Sequence, residues 1–170
     1  MTKVALYLAS LMLGTNFSAS TAPPAHEPLP AAVTLTAPEK QLVERVNAER
    51  WDRGERVLAI NPVLVKAARE HSREMGERSY FDHYSPTPSL RTPVDRYVAA
   101  LGRKPTHALI GENLFRCTVQ DADLAHRCLM NSPRHRDNLL NPLYDQIGVG
   151  AYVAPDGRFY VTQLFLSQID

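Results

Sequence analysis

Residues 146–166 read QIGVGAYVAPDGRFYVTQLFL, and their period decides the architecture. Gln146 to Ala154 and Arg158 to Leu166 are two runs rich in β-branched and aromatic residues. Pro155-Asp156-Gly157 joins them, a turn tripeptide with Gly where a positive φ is easiest, so a β-hairpin is predicted. Everything upstream has a different period. Thr36, Pro38 and Glu39 form a helix-capping signal ahead of the apolar stripe Leu42, Val43 and Val46, which stops near Gly54. Asn61-Pro62 starts a second helix, with Leu64, Ala68, His71 and Met75 on one face before Gly76. Thr92-Pro93 repeats the device ahead of Val94, Tyr97, Val98 and Leu101, with Gly102 at the stop. Asp121 opens a helix carrying Leu124, Cys128 and Leu129, and Ser132-Pro133 starts a short further one. A strand fits Ile110 to Phe115. Helices first and a hairpin last predict an α+β fold, with helices packed on a small, mostly antiparallel sheet.

The N-terminal flank is unlike this body. Lys3 leads into an apolar stretch from Val4 to Gly14 and then the small residues Ser18, Ala19 and Ser20, the pattern of a secretory signal peptide over 1–20. That stretch is too short to span a membrane, which needs about 20 apolar residues, and no later segment comes closer. Residues 21–38, TAPPAHEPLPAAVTLTAP, hold five prolines and almost no large apolar side chains; they are expected to form an extended tether that can be trimmed without loss of stability. The folded domain is then 39–170, large enough for one hydrophobic core. Among 170 residues, Lys and Arg number 19 against 18 Asp and Glu, a net charge of +1 without any basic run, so nucleic acid is not an expected partner.

Cys117 and Cys128 are the only cysteines. An even count in an exported chain favours a disulfide between them; the alternative is two buried free thiols, since Cys128 falls on the apolar face of its helix. Of the six histidines, His26 lies in the tether, His71 reads as a hydrogen-bonded core residue, His107 sits in a loop and His126 on a helix amid charges. His83 and His135 stand out by their neighbours. Signatures of zinc peptidases, serine hydrolases and nucleotide-binding loops are absent.

Those neighbours come in one order: Phe81-Asp82-His83-Tyr84-Ser85, then Gly111-Glu112-Asn113, then Ser132-Pro133-Arg134-His135-Arg136-Asp137-Asn138-Leu139-Leu140-Asn141-Pro142 with Tyr144, then Ile147-Gly148-Val149-Gly150. Asn47-Ala48-Glu49-Arg50 precedes them and Tyr160 to Phe165 closes the series. Together these strings resemble the CAP superfamily, also called SCP-like or cysteine-rich secretory, antigen 5 and pathogenesis-related-1 proteins, in its bacterial form, across almost all of 39–170.

The resemblance implies an α-β-α sandwich and a cleft shared by His83, Glu112 and His135, with Ser132 standing where many eukaryotic members carry a second glutamate. Ser132 also fits as the N-cap of the helix bearing His135. Two imidazoles suit Zn²⁺ or another divalent cation, which makes His83 and His135 the candidate ligands and Glu112 the candidate base of a metal-assisted hydrolase. The competing reading makes the trio a satisfied polar network that holds strand to helix. Three function classes follow: a secreted binding or interaction module, which leads and is not an enzyme; a peptidase-like hydrolase; and a lipid or sterol carrier. The expected partner is a peptide, a lipid or a cell-envelope component at the cleft of a monomer located outside the cell or in the periplasm.

Overall fold

A computed structural model describes residues 33–168. The predicted leader and most of the tether lie outside those residues. The chain forms α1 (Ala37–Trp51), β1 (Ala59–Ile60), α2 (Pro62–Glu77), a 3₁₀ turn (Pro88–Leu90), α3 (Pro93–Leu101), β2 (Ala108–Cys117), α4 (Ala122–Asn131), α5 (Pro133–Leu140), β3 (Gln146–Val153) and β4 (Phe159–Gln168). The sheet order is β1-β3-β4-β2. The predicted hairpin pairs β3 with β4 antiparallel from Gln146↔Leu166 to Val153↔Phe159, and β2 runs antiparallel along the other side of β4. Asp156 Oδ1 accepts from the Arg158 amide at 3.0 Å and Gly157 turns the chain at φ 83°. The strand expected at Ile110 to Phe115 is longer at both ends, and the two-residue β1, parallel to β3, escaped the pattern because two residues carry no period.

Alternation along the hairpin builds two layers. Ile147, Val149, Phe159, Val161 and Phe165 point to one face, where they meet Leu42, Val43 and Val46 of α1, Ala125 and Leu129 of α4 and Leu139 of α5. Leu164 and Leu166 point to the other face and meet Leu64, Ala67 and Ala68 of α2 and Tyr97 of α3. Fully burying side chains of this size is worth about 1.5–3 kcal/mol each, which makes the two-sided β4 the spine of the fold. The result is the expected α-β-α sandwich. In the middle of β3 the α2 side shows only backbone: a Cβ on Gly148 would collide with Leu64 and Val65, and one on Gly150 with Ala68 and Arg69. Helix α2 therefore lies directly on the strand.

Several local expectations need correction. The fold reaches back into the stretch read as tether: Thr36 caps α1, its amide donates to Glu39 Oε2 at 2.8 Å, and Thr34 carbonyl accepts from Arg69 at 2.8 Å. Glu39 is buried and joins α1 to α2 through Arg69 Nε at 2.8 Å. Burial pushes its carboxyl up, but the bonds from Arg69 and Thr36 outweigh this and hold it below the ordinary range. Gly76 does not stop α2; it sits within the helix, where its missing Cβ admits the Tyr152 ring. Tyr97 is buried as expected, but Val94 is exposed, and α3 buries Arg96 beside Tyr97. The disulfide is not formed: Cys117 Sγ bonds Val119 carbonyl at 2.7 Å, and Cys128 lies on the exposed side of α4, which buries Ala122, Ala125, His126 and Leu129.

Candidate functional site

The site grows from two buried anchors. Helix α2 presents Glu74 near its C-terminal end, where the carboxylate accepts from Tyr80 hydroxyl (2.7 Å), Ser85 hydroxyl (2.7 Å), Thr87 hydroxyl (2.6 Å) and Arg78 (3.0 Å). Burial alone raises a carboxyl, yet these four donors bring Glu74 down to about 2. His71, one turn earlier, reaches Asp82 carbonyl with Nε2 at 3.1 Å. Burial depresses this imidazole to about 4, against the pull of Glu112, so it is neutral at pH 7. The segment 80–87 is thus sewn onto α2, with His83 at its crest.

Strand β2 supplies the other half. It is one of the sheet's two edge strands, so side chains from both of its faces reach one edge. Glu112 points to the α2 and α3 side; its Oε1 lies 2.8 Å from His83 Nδ1 and its Oε2 accepts from Arg96 Nη2 at 2.5 Å. The carboxylate and the guanidinium are each 2% exposed, whereas His83 is 49% exposed. Arg96 also donates to the carbonyls of His83 (3.2 Å), Leu90 (3.1 Å) and Arg91 (3.3 Å), so one side chain holds both the strand and the loop. The bond from Glu112 raises His83 above the ordinary imidazole range, burial opposing it in part.

His135 arrives from the opposite layer. Asn113, next along β2, donates to His135 carbonyl at 3.0 Å, and Asn138 donates to Glu112 carbonyl at 3.1 Å and Asn113 Oδ1 at 2.9 Å. The string Gly111-Glu112-Asn113 is a clamp: Glu112 fastens one layer, Asn113 the other, and Gly111 leaves room for Tyr144 hydroxyl. His135 is lowered by burial and then by His83, so the two imidazoles feel each other. Ser132 holds the N-cap position of α5 with extended backbone (ψ 116°), but its hydroxyl makes no capping bond. The same loop borders a hollow of about 590 Å³ lined by Tyr80, Asp82, Tyr84 and Arg91 among others, with His83, Glu112 and His135 outside its lining. His83 and Glu112 are in direct contact, the backbone of His135 is tied to Asn113, and Ser132 only begins the helix.

As a metal centre the donor set is narrow. Among the described residues no group of three or more His, Cys, Asp or Glu is arranged to hold an ion. Both Glu112 oxygens are engaged, which leaves two imidazoles as the available donors. Arg96 and Glu74, which set the site's geometry, were not singled out by the sequence reading.

A three-layer α-β-α domain with a His-Glu-Arg cluster at the edge of its outer strand defines a family. Residues 43–165 match the cysteine-rich secretory protein family, CAP, and the chain belongs to it. YkwD of Bacillus subtilis strain 168 is 38% identical over 120 residues, covering 71% of this chain and 44% of YkwD, so the chain spans less than half of that relative. An extracellular SCP-domain protein of Bacillus anthracis superposes with a TM-score of 0.66 at 29% identity, over 81% of this chain and 45% of that one. NaASP2, crystallised with Zn²⁺, shares the fold at 12% identity and a TM-score of 0.56, over 77% of this chain and 80% of its own. No helix among the described residues is long and apolar enough to cross a membrane.

Proposed function

We propose that this chain is an exported binding module that presents His83 and His135 at the β2 edge to a peptide, lipid or cell-envelope ligand, and that it does not turn its ligand over. The observation that carries this reading is the engagement of Glu112. With Oε1 on His83, Oε2 on Arg96 and 2% exposure, its oxygens are turned inward, whereas a general base must reach the proton it removes. Glu112 then acts as an anchor and His83 as the accessible edge. Residues 1–20 act as the export leader in this reading.

A divalent cation such as Zn²⁺ fits as an accessory. His83 Nε2 and His135 would hold it, and Glu112 would orient His83 through Nδ1, the usual support for a ligating imidazole. Such an ion would supply a positive, exchangeable contact point for ligand oxygens. Two imidazoles without a third protein ligand make that site weak.

The full chain tests the reading when mixed separately with cell-wall fragments, phospholipid vesicles and a casein peptide digest, followed by sedimentation or chromatography and by assay for cleavage. Saturable binding to one of them is expected, weakened at least tenfold by His83→Ala/His135→Ala and accompanied by no product. Turnover of any of the three that Glu112→Gln abolishes would establish the hydrolase instead. Vesicle binding that survives the double substitution would point to lipid carriage elsewhere on the domain.

A further inference from the structure

The surface between α1, α4 and α5 carries a second polar hollow, whose lining differs from the residues gathered at the β2 edge. Two adjoining cavities, of about 330 and 370 Å³, share Glu49, His126 and Arg127. His126 lies under both. It is 6% exposed, and neither ring nitrogen has a hydrogen-bond partner; the nearest carboxylate oxygen, Glu49 Oε1, stands 3.6 Å from Nε2. A buried imidazole whose nitrogens make no hydrogen bond retains the capacity to bond a ligand.

The walls show what that is. The larger cavity is lined by Arg53, Arg127 and Arg136 against the single acid Glu49, with Met130 and Asn131 completing it. Arg53 is committed to Glu49 at 2.5 Å, and in the neighbouring cavity Arg45 is committed to Asp123 at 2.8 Å. Arg127 and Arg136 have no carboxylate partner among the described residues. Two guanidinium forks without a carboxylate and one imidazole without a hydrogen bond thus line one hollow. A carboxylate offers two oxygens, fewer than this set of donors can use; a phosphate offers more oxygens and a charge near −2, which matches two free arginines.

We propose that this hollow is a binding site for a phosphoryl group, held by Arg127 and Arg136 with His126 at its floor. The site does not rest on the function proposed above. Its ligand is inorganic phosphate or a phosphate monoester. Burial keeps His126 below the ordinary imidazole range, opposed by Glu49, which favours the neutral ring as donor and acceptor.

The test follows the His126 ring proton by NMR at fixed pH, its resonance identified by comparison with His126→Asn. Phosphate is titrated against chloride at matched ionic strength, and acetate and glycerol phosphate are run in parallel. A saturable shift in the millimolar range is expected with phosphate and not with chloride. It should weaken at least tenfold, about 1.4 kcal/mol, in Arg127→Gln/Arg136→Gln, two exposed positions whose loss leaves the core intact, and stay unchanged in the loop control Arg103→Gln. Tighter binding of glycerol phosphate than of phosphate would assign a monoester; the reverse would assign the free ion. An equal response to chloride, an undiminished response in the double variant, or acetate binding as tight as phosphate would overturn the proposal.

Discussion

Two buried arginines hold opposite sides of this sheet and do it by different chemistry. Arg50, at the end of α1, donates to four backbone carbonyls: Arg56 (2.7 Å), Leu139 (3.0 Å), Asn141 (3.0 Å) and Tyr144 (3.4 Å). No carboxylate touches it. Asn47, one turn earlier, pairs with both backbone groups of Leu58, at 3.1 and 2.8 Å. Arg96 is equally buried, but its partners include the carboxylate of Glu112, and its Nε is left without a hydrogen bond. A guanidinium satisfied by carbonyls fastens loops and holds no titrating partner. One satisfied by a carboxylate couples to His83, which titrates and reaches solvent. The first arrangement is a rivet; the second is the back of a site.

The comparison breaks most sharply at Arg50. Arg50→Ala strips four charge-assisted bonds and strands buried carbonyls, so urea unfolding should show a loss of about 5 kcal/mol or more, and Arg50→Lys should recover little because one ammonium cannot reach all four acceptors. Glu112→Ala leaves Arg96 buried and unpaired, with an expected cost of about 3–5 kcal/mol. Arg96→Met/Glu112→Leu should cost clearly less than the sum of the single changes, a double-mutant cycle being the measurement.

Acid separates the two sides further. His71 is held at about 4, below its unfolded value near 6.5, so the unfolded chain binds the extra proton and stability falls as pH drops through that interval, by on the order of 3 kcal/mol. Glu74, held at about 2, adds a further loss as pH falls from about 4.5. His83 runs the other way: its contribution is full below the unfolded value and fades as pH rises through its elevated folded one. Unfolding curves between pH 3 and 8 on wild type and His71→Phe should show the first loss vanish in the variant. The smallest effect is at the exposed imidazole: His83→Ala should cost about 1 kcal/mol or less while weakening Zn²⁺ binding at least tenfold by calorimetry.

What was legible in the sequence follows from locality. Caps at Thr36, Asn61, Thr92 and Asp121, and the turn at Pro155-Asp156-Gly157, write their physics within four residues, and all five stand where read. His83 and Glu112 were found by likeness to a family, not by spacing. Arg96 was missed because no local rule separates a buried arginine on a short capped helix from exposed neighbours such as Arg91 and Arg103; its partner is 16 residues away on a strand. Cys128 was placed on the wrong face because α4 buries alanines and a histidine, which a count of large apolar residues overlooks.

The close approach of α2 to β3 at Gly148 and Gly150 carries a consequence for recognition. At Gly148 and Gly150 α2 rests directly on the strand backbone, which fixes its height over the sheet, and the loop bearing His83 is bound to that helix through Glu74 and His71. The ordering entropy of the loop is therefore spent during folding. A ligand that meets His83 finds the ring already in position, and the affinity it gains is not consumed by immobilising the receptor.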